Sequence, residues 1–127
     1  MKHLSYSVVI LLIFISVWGI YIYYSDIAIS QLKNELYEDV LTAVRAEDWT
    51  EAKEEFVEFK NDWKKYRRIA HLFFNTEKIN EIDLSIATCE FAIDSAHAEE
   101  TSSDLGYLIE LLSFLHESEQ LSAENLL

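Results

Sequence analysis

Residues 49–74 read WTEAKEEFVEFKNDWKKYRRIAHLFF and contain the most regular hydrophobic repeat in the chain. Its apolar members recur at steps of three and four: Trp49, Ala52, Phe56, Phe59, Trp63, Tyr66, Ala70 and Phe73. This spacing places them on one face of an α-helix over residues 49–74. Because the face is broad and aromatic, it predicts a helix that fills a core rather than a narrow coiled-coil seam.

Shorter apolar stripes predict three partner helices for this segment. The first runs over residues 25–46 and presents Ile29, Leu32, Leu36, Val40 and Ala43. The next runs from about residue 75 to Ala98 and presents Ile79, Ile82, Ile86, Cys89 and Ile93. The last follows a polar link, AEETSS at 98–103, and presents Leu105, Leu108, Leu112 and Leu115, with residues 117–127 fraying or forming a short turn.

Polar residues at the predicted corners supply helix caps. Asp48, followed three residues later by Glu51, resembles a capping box, and Thr101 with Asp104 could cap the last helix. Asn75 is the expected cap of the helix that follows the aromatic one, with Phe74 and Ile79 forming a hydrophobic staple. With two glycines and no proline in the chain, β-hairpins are disfavoured. The sequence therefore predicts an all-α fold, an antiparallel bundle of three to four helices.

An uncharged N-terminal stretch predicts a membrane anchor. Residues 4–24, LSYSVVILLIFISVWGIYIYY, carry no charge over 21 positions, and as a helix they span roughly 31 Å, near the thickness of a bilayer core. A cleaved signal peptide is the alternative, but its apolar core would be unusually long. Lys2 precedes the stretch and Asp26 follows it, which favours a cytoplasmic N-terminus and an extracytoplasmic C-terminal part. We expect residues 1–24 to form the tail and anchor and residues 25–127 the domain, with the transmembrane helix continuing into the first helix of the bundle.

The predicted domain is strongly acidic. Residues 25–127 contain 9 basic and 23 acidic residues, a formal charge of −14, and neither Lys nor Arg follows Lys78. Nucleic acid and anionic lipid would both be repelled by such a charge, so we expect neither as a partner. The lone Cys89 can form no internal disulfide and belongs to an apolar stripe, which indicates a buried thiol rather than a nucleophile.

Three groups of side chains are candidates for a site. His71, Glu77, Glu81 and Asp83 are close in sequence but straddle a helix corner without a metal-binding spacing, so we expect no metal, cofactor or catalytic site and no contact between His71 and the two glutamates. A pH-sensing role is open to His71, His97 and His116. The candidate partner-binding residues combine aromatic and basic side chains: Trp49, Trp63, Tyr66, Lys64, Lys65, Arg67 and Arg68. The alternative role for the basic ones is pairing with acids of the last two helices rather than with an external anion such as a wall polymer.

Several pieces of the sequence, in their order and spacing, resemble a known family. They are Trp49 with Ala52, Trp63 with Arg67 and Arg68, EKINEIDLSIA at 77–87 and HESEQLSAENL at 116–126. The family is an uncharacterised one of short, membrane-anchored helical proteins, chiefly from spore-forming Gram-positive bacteria. It often has a His just before the Glu-x-Ile-x-x-Ile-Asp segment, where this chain has Asn75 and Thr76. The resemblance implies length, anchor and helicity, and it carries over no functional residue.

These observations favour a non-catalytic function. We expect a membrane-anchored extracytoplasmic interaction or scaffold module that binds a protein partner or self-associates. The alternative is an extracytoplasmic sensing module that responds to a ligand, cation or pH and signals through a partner in the membrane.

Overall fold

The computed structural model describes residues 2–72 and 74–126, with the backbone alone over 119–126. This part of the chain forms four helices: α1 (Lys2–Arg45), α2 (Trp49–Ala70), α3 (Thr76–Ser95) and α4 (Ala98–Leu126). No strand occurs in these ranges. The predicted all-α class, with the N-terminal apolar helix continuing into a bundle, is confirmed.

Helix α1 combines an apolar half with a half that joins the bundle. It contains a window long and apolar enough to cross a membrane, and almost none of that window is buried by the rest of the chain. Beyond it, the helix buries Ile29, Leu32, Leu36 and Val40 in the core. Between Lys2–Asn34 and Leu41–Arg45 the hydrogen bonds widen to a π-helical turn over Glu35–Val40, which the sequence pattern does not predict.

The core is formed by one stripe from each helix, as predicted. On α2 the residues from Ala52 to Ala70 in the repeat are buried, and Trp49 packs partly buried against them. Phe73, the last member of that repeat, lies outside the described residues. The stripes of α3 and α4 are buried at the predicted positions: Ile79, Ile82, Ile86, Cys89, Ile93, Leu105, Leu108, Leu112 and Leu115.

Two predicted caps are present with the expected geometry. The Asp48 carboxylate accepts a hydrogen bond from the backbone N–H of Glu51 at 3.2 Å, at the start of α2. The Asn75 side chain accepts one from the N–H of Glu77 at 3.0 Å, at the start of α3. Phe74 packs against the core in which Ile79 is buried, as the staple requires. Both corners are therefore set by local sequence.

Three predicted boundaries are wrong. Helix α2 ends at Ala70, not at residue 74. Helix α4 begins at Ala98 and continues to Leu126, so AEETSS is part of the helix and not a link, and residues 117–126 continue the helix instead of forming a short turn. The boundary between α3 and α4 lies earlier than predicted because Ala96 adopts the left-handed conformation, with φ of 55°, and reverses the chain within two residues. Thr101 is fully buried inside α4, where its hydroxyl donates to the His97 carbonyl at 2.7 Å instead of capping.

The strained corner at Ala96 gives a test of this topology. A Cβ in the left-handed region costs about 1 kcal/mol that glycine does not incur, so Ala96→Gly should stabilise the chain by about that amount. Ala87→Gly, at an exposed interior position of α3, should instead destabilise it by about 1 kcal/mol. Urea unfolding of the full chain in detergent micelles measures both. Equal losses in the two variants would contradict the corner.

Candidate functional site

Two of the predicted partner-binding aromatics lie in the core. Trp63 and Tyr66 are 3% and 1% exposed. The indole N–H of Trp63 donates to Asp83 on α3 at 2.8 Å, and the same carboxylate receives two N–H groups of Arg67, each at 2.9 Å. This node joins α2 to α3. Burial removes Trp63 and Tyr66 from the set, and Arg67 is engaged by Asp83. The other members, Trp49, Lys64, Lys65 and Arg68, have surface open to a partner, and the partner-binding role stays a prediction.

Two further ion pairs connect α2 to α3 beside this node. Lys60 lies 3.0 Å from Glu90, and Lys53 lies 4.0 Å from Asp94. Together with Arg67–Asp83 they form a ladder along the interface, as the pairing alternative for the basic residues requires. Lys64, Lys65 and Arg68 are exposed and are not members of the ladder.

The three candidate histidines have separate environments. His71 is half-buried at the end of α2, and no ion pair joins it to Glu77 or Glu81 among the described residues. His97 is exposed, with Nδ1 2.9 Å from the Ser95 carbonyl. His116 Nε2 lies 3.1 Å from Asp26 and connects α4 to α1 where the apolar half of α1 ends. The structure therefore does not gather the histidines into one site, and their pH-sensing role stays a prediction.

A pair of carboxyl groups at the π-helical turn was not predicted. Glu35, on that turn, forms a side-chain hydrogen bond with Asp62 of α2 and another with Gln31. The pKa of Glu35 is raised to about 8. The largest cause is burial, followed by the hydrogen bond and the charge of Asp62 and then by the charge of Asp39. At neutral pH this carboxyl group therefore holds a proton that it shares with Asp62.

The surroundings of the acid pair are also acidic. The second carboxylate oxygen of Glu35 is buried without a hydrogen-bond partner. Partial desolvation and the charge of Asp39 raise the pKa of Glu55 on the facing side of α2. A cavity of about 150 Å³ between α1 and α2 reaches Asp62 and is also lined by Tyr24, Gln31 and Lys65 among others. No sequence motif marks this arrangement, because it depends on how α1 is rotated against α2.

The outward side of α3 carries an uncharged stripe. Asn80, Leu84, Ala87 and Phe91 follow one another at steps of four, three and four, so they share a side of the helix. All are exposed, and the two largest, Leu84 and Phe91, are 70% and 75% exposed. We name these four residues the α3 outer stripe. The spacing of the outer stripe is visible in the sequence, but the inward stripe of the same helix is longer and more apolar and therefore dominates the pattern.

Cys89 is a free, buried cysteine on the inward stripe of α3. Burial, followed by the charge of Asp104, raises the pKa of Cys89 to about 12, so the thiol stays protonated. Over residues 2–72 and 74–126, no group of three or more His, Cys, Asp or Glu side chains is arranged to hold a metal ion.

Comparison with protein families identifies the family of this chain. The profile of a domain of unknown function, DUF4363, covers residues 20–126, nearly the whole chain. The chain belongs to this family. The DUF4363 match starts inside the apolar half of α1, so the domain includes the passage from that half into the bundle. Searches of curated proteins and of solved structures give no match. The bacterial source implied by the resemblance stays a prediction.

The Trp63–Arg67–Asp83 node predicts unequal costs for two aspartates. Asp83→Ala leaves a buried indole N–H and a guanidinium without their acceptor, which should cost about 2 kcal/mol. Asp94→Ala removes only the exposed pair with Lys53 and should cost less than about 0.5 kcal/mol. Chemical unfolding followed by circular dichroism measures both values. A loss at Asp83 no larger than at Asp94 would show that the node does not hold α3 in place.

Proposed function

We propose that this DUF4363 chain is a membrane-anchored, non-catalytic interaction module, with its bundle outside the cytoplasm and a partner helix bound on the α3 outer stripe. Residues 1–24 serve as tail and anchor, and residues 25–127 as the binding domain. The observation that carries the proposal is the exposed, uncharged outer stripe on an otherwise highly charged domain.

The anchor is supported by the exposure of the apolar residues of α1. Its large hydrophobic side chains from Leu4 to Ile20 are about half exposed or more, apart from the half-buried Trp18, and a folded domain does not leave such a surface in water without a role. The orientation rests on Lys2 before the apolar run and Asp26 after it. A bilayer around this half would cover the largest apolar surface of the chain.

The α3 outer stripe fits a helical partner. Its steps of four, three and four are those of a coiled-coil seam, which one further helix can cover. On one side of the stripe, Asp83, Glu90 and Asp94 are already paired with α2. On the other side, Glu77 and Glu81 are exposed. We therefore infer a partner helix with an apolar seam flanked by Lys or Arg, whereas a second copy of this acidic chain would be repelled.

Photocrosslinking in the native membrane tests the partner site. A benzophenone amino acid at Phe91 should give one discrete adduct, and the same group at Tyr37, an exposed aromatic residue of α1, should not. Adding Leu84→Glu should abolish the adduct without unfolding the chain, because Leu84 is exposed. Equal capture at both positions, or insensitivity to Leu84→Glu, would contradict the proposal. An adduct of twice the chain mass would identify a second copy instead.

A sensing role is the second candidate, and the contacts of α1 favour it. Two protonatable pairs hold neighbouring helices to α1, Glu35–Asp62 on α2 and His116–Asp26 on α4. A change in their protonation would alter the packing around the helix that leads to the anchor. In this alternative the module passes the change to a partner within the membrane.

The acid pair predicts a specific pH dependence of stability. The pKa of Glu35 is raised from 4.5 to about 8 on folding, so its stabilising effect is complete below the lower value and is lost as pH rises through the upper one. The melting temperature should therefore fall between about pH 5 and pH 8, and Glu35→Gln should flatten this decline and be the more stable protein above pH 8.

Glu38→Gln is the matched control for this measurement. Glu38 lies on the same π-helical turn but is exposed, so its replacement should leave the pH dependence unchanged. The melting temperature of each variant is measured on the full chain in detergent between about pH 5 and pH 8. Parallel curves for the wild type and Glu35→Gln would show that the carboxyl pair does not hold the proton.

A further inference from the structure

The contact between α1 and α2 fixes how close the bundle lies to the anchor. Tyr66 shares a hydrogen bond with Ser25, and its ring lies 6.5 Å from that of Tyr24, the last residue of the uncharged run. The three residues between the helices, 46–48, reverse the chain, so α2 runs back toward the apolar half of α1. Residues that follow Tyr66 on α2 therefore lie beside the apolar run, not beyond it.

The corner between α2 and α3 consequently lies at the anchor end of the domain, together with the last turns of α4. Ala70 is one turn, about 6 Å, past Tyr66. Tyr21 is one turn from Ser25 on α1 and is 6% exposed, so the bundle covers α1 to this level. Leu72 follows in the corner and is 78% exposed, the highest value among the large apolar side chains that the structure describes. It lies level with a segment that the bilayer would surround.

Charge is distributed unevenly along the same axis. Half of the ten Lys and Arg residues fall within residues 64–78. Lys64, Lys65, Arg68 and Lys78 among them are exposed near this corner. Three acids, Asp26, Glu77 and Glu117, lie at this end too, but they belong to α1, α3 and α4, so the end of α2 is the basic side. The overall acidity, which argues against anionic lipid, therefore does not describe this surface.

We propose that the α2–α3 corner is a second membrane contact, with Leu72 inserted at the level of the headgroups and Lys64, Lys65 and Arg68 bound to lipid phosphates. This inference rests on the proposed membrane anchor. An exposed apolar side chain beside a basic surface is the combination by which peripheral elements bind anionic bilayers. The contact holds the bundle against the bilayer from which α1 emerges and directs the acidic end and the α3 outer stripe outward.

Fluorescence quenching of the full chain in nanodiscs tests the contact. Leu72→Cys carries a bimane label in a Cys89→Ala background, and the bilayer contains phosphatidylglycerol and a lipid with a nitroxide near its headgroup. The label should be quenched by the lipid and shielded from aqueous iodide. Leu84→Cys in the same background is the matched control, since Leu84 is equally exposed but two to three turns farther from the corner. Its label should be quenched by iodide and not by lipid.

The basic residues are tested in the same assay. Lys64→Gln, Lys65→Gln and Arg68→Gln combined should weaken the lipid quenching at position 72, although α1 still holds the corner near the bilayer, and so should a bilayer of phosphatidylcholine alone or added salt. Quenching that is unchanged by all three would overturn the role of lipid phosphate. Iodide access at position 72 as great as at position 84 would overturn the contact itself.

Resistance to alkaline extraction separates this inference from the anchor on which it rests. A chain that stays in the membrane at alkaline pH while its position 72 label remains open to iodide has an anchor and lacks the second contact. A chain that is extracted lacks the anchor, and both proposals then fail together. Circular dichroism of each variant confirms that the bundle is intact, which is expected because the substituted side chains other than Cys89 are exposed.

Discussion

The continuity of α1 is the constraint on which the rest of the structure depends. No proline interrupts the chain, and neither of its glycines falls between Tyr24 and the end of the helix. One helix therefore carries an uncharged run and a core stripe in a fixed rotational relation. The other helices take their positions from it: α2 through Tyr66 on Ser25, and α4 through His116 on Asp26. In the proposed arrangement the bundle is thus held rigidly by its anchor, not tethered by a linker.

Because the bundle is rigidly connected to α1, each of its exposed surfaces has a fixed direction relative to that helix. Along the axis of α1, the basic end of α2 and Leu72 lie toward the anchor, and most of the acidic residues lie on the other helices and farther away. Around the axis, the α3 outer stripe faces solvent, on the side opposite the core. A flexible connection would let these surfaces point anywhere. With the proposed anchor in a bilayer, an unbroken helix instead presents each of them in one direction relative to the membrane.

The sequence predicted the helices and their inward faces because both depend on local spacing. The stripe from Ala52 to Ala70 and the caps at Asp48 and Asn75 are set within a few residues of chain. The corner at Ala96 was missed because alanine gives no signal for a left-handed residue. The Glu35–Asp62 pair was not predicted because it depends on how α1 is rotated against α2. The π-helical turn that contains Glu35 changes this rotation, and it was not predicted either. Trp63 and Tyr66 were considered for binding, yet their periodicity already indicated the core in which they lie.

Amide hydrogen exchange of the full chain in nanodiscs tests the continuity of α1 most directly. Residues 24–34 connect the uncharged run to the π-helical turn, and they lie within one helix. Their amides should exchange as slowly as those of the core stripe of α2, since both belong to the same rigid unit. A window of fast exchange anywhere in 24–34, between a protected run and a protected bundle, would show a hinge. That result would contradict the account, because the bundle would then have no fixed orientation relative to its anchor.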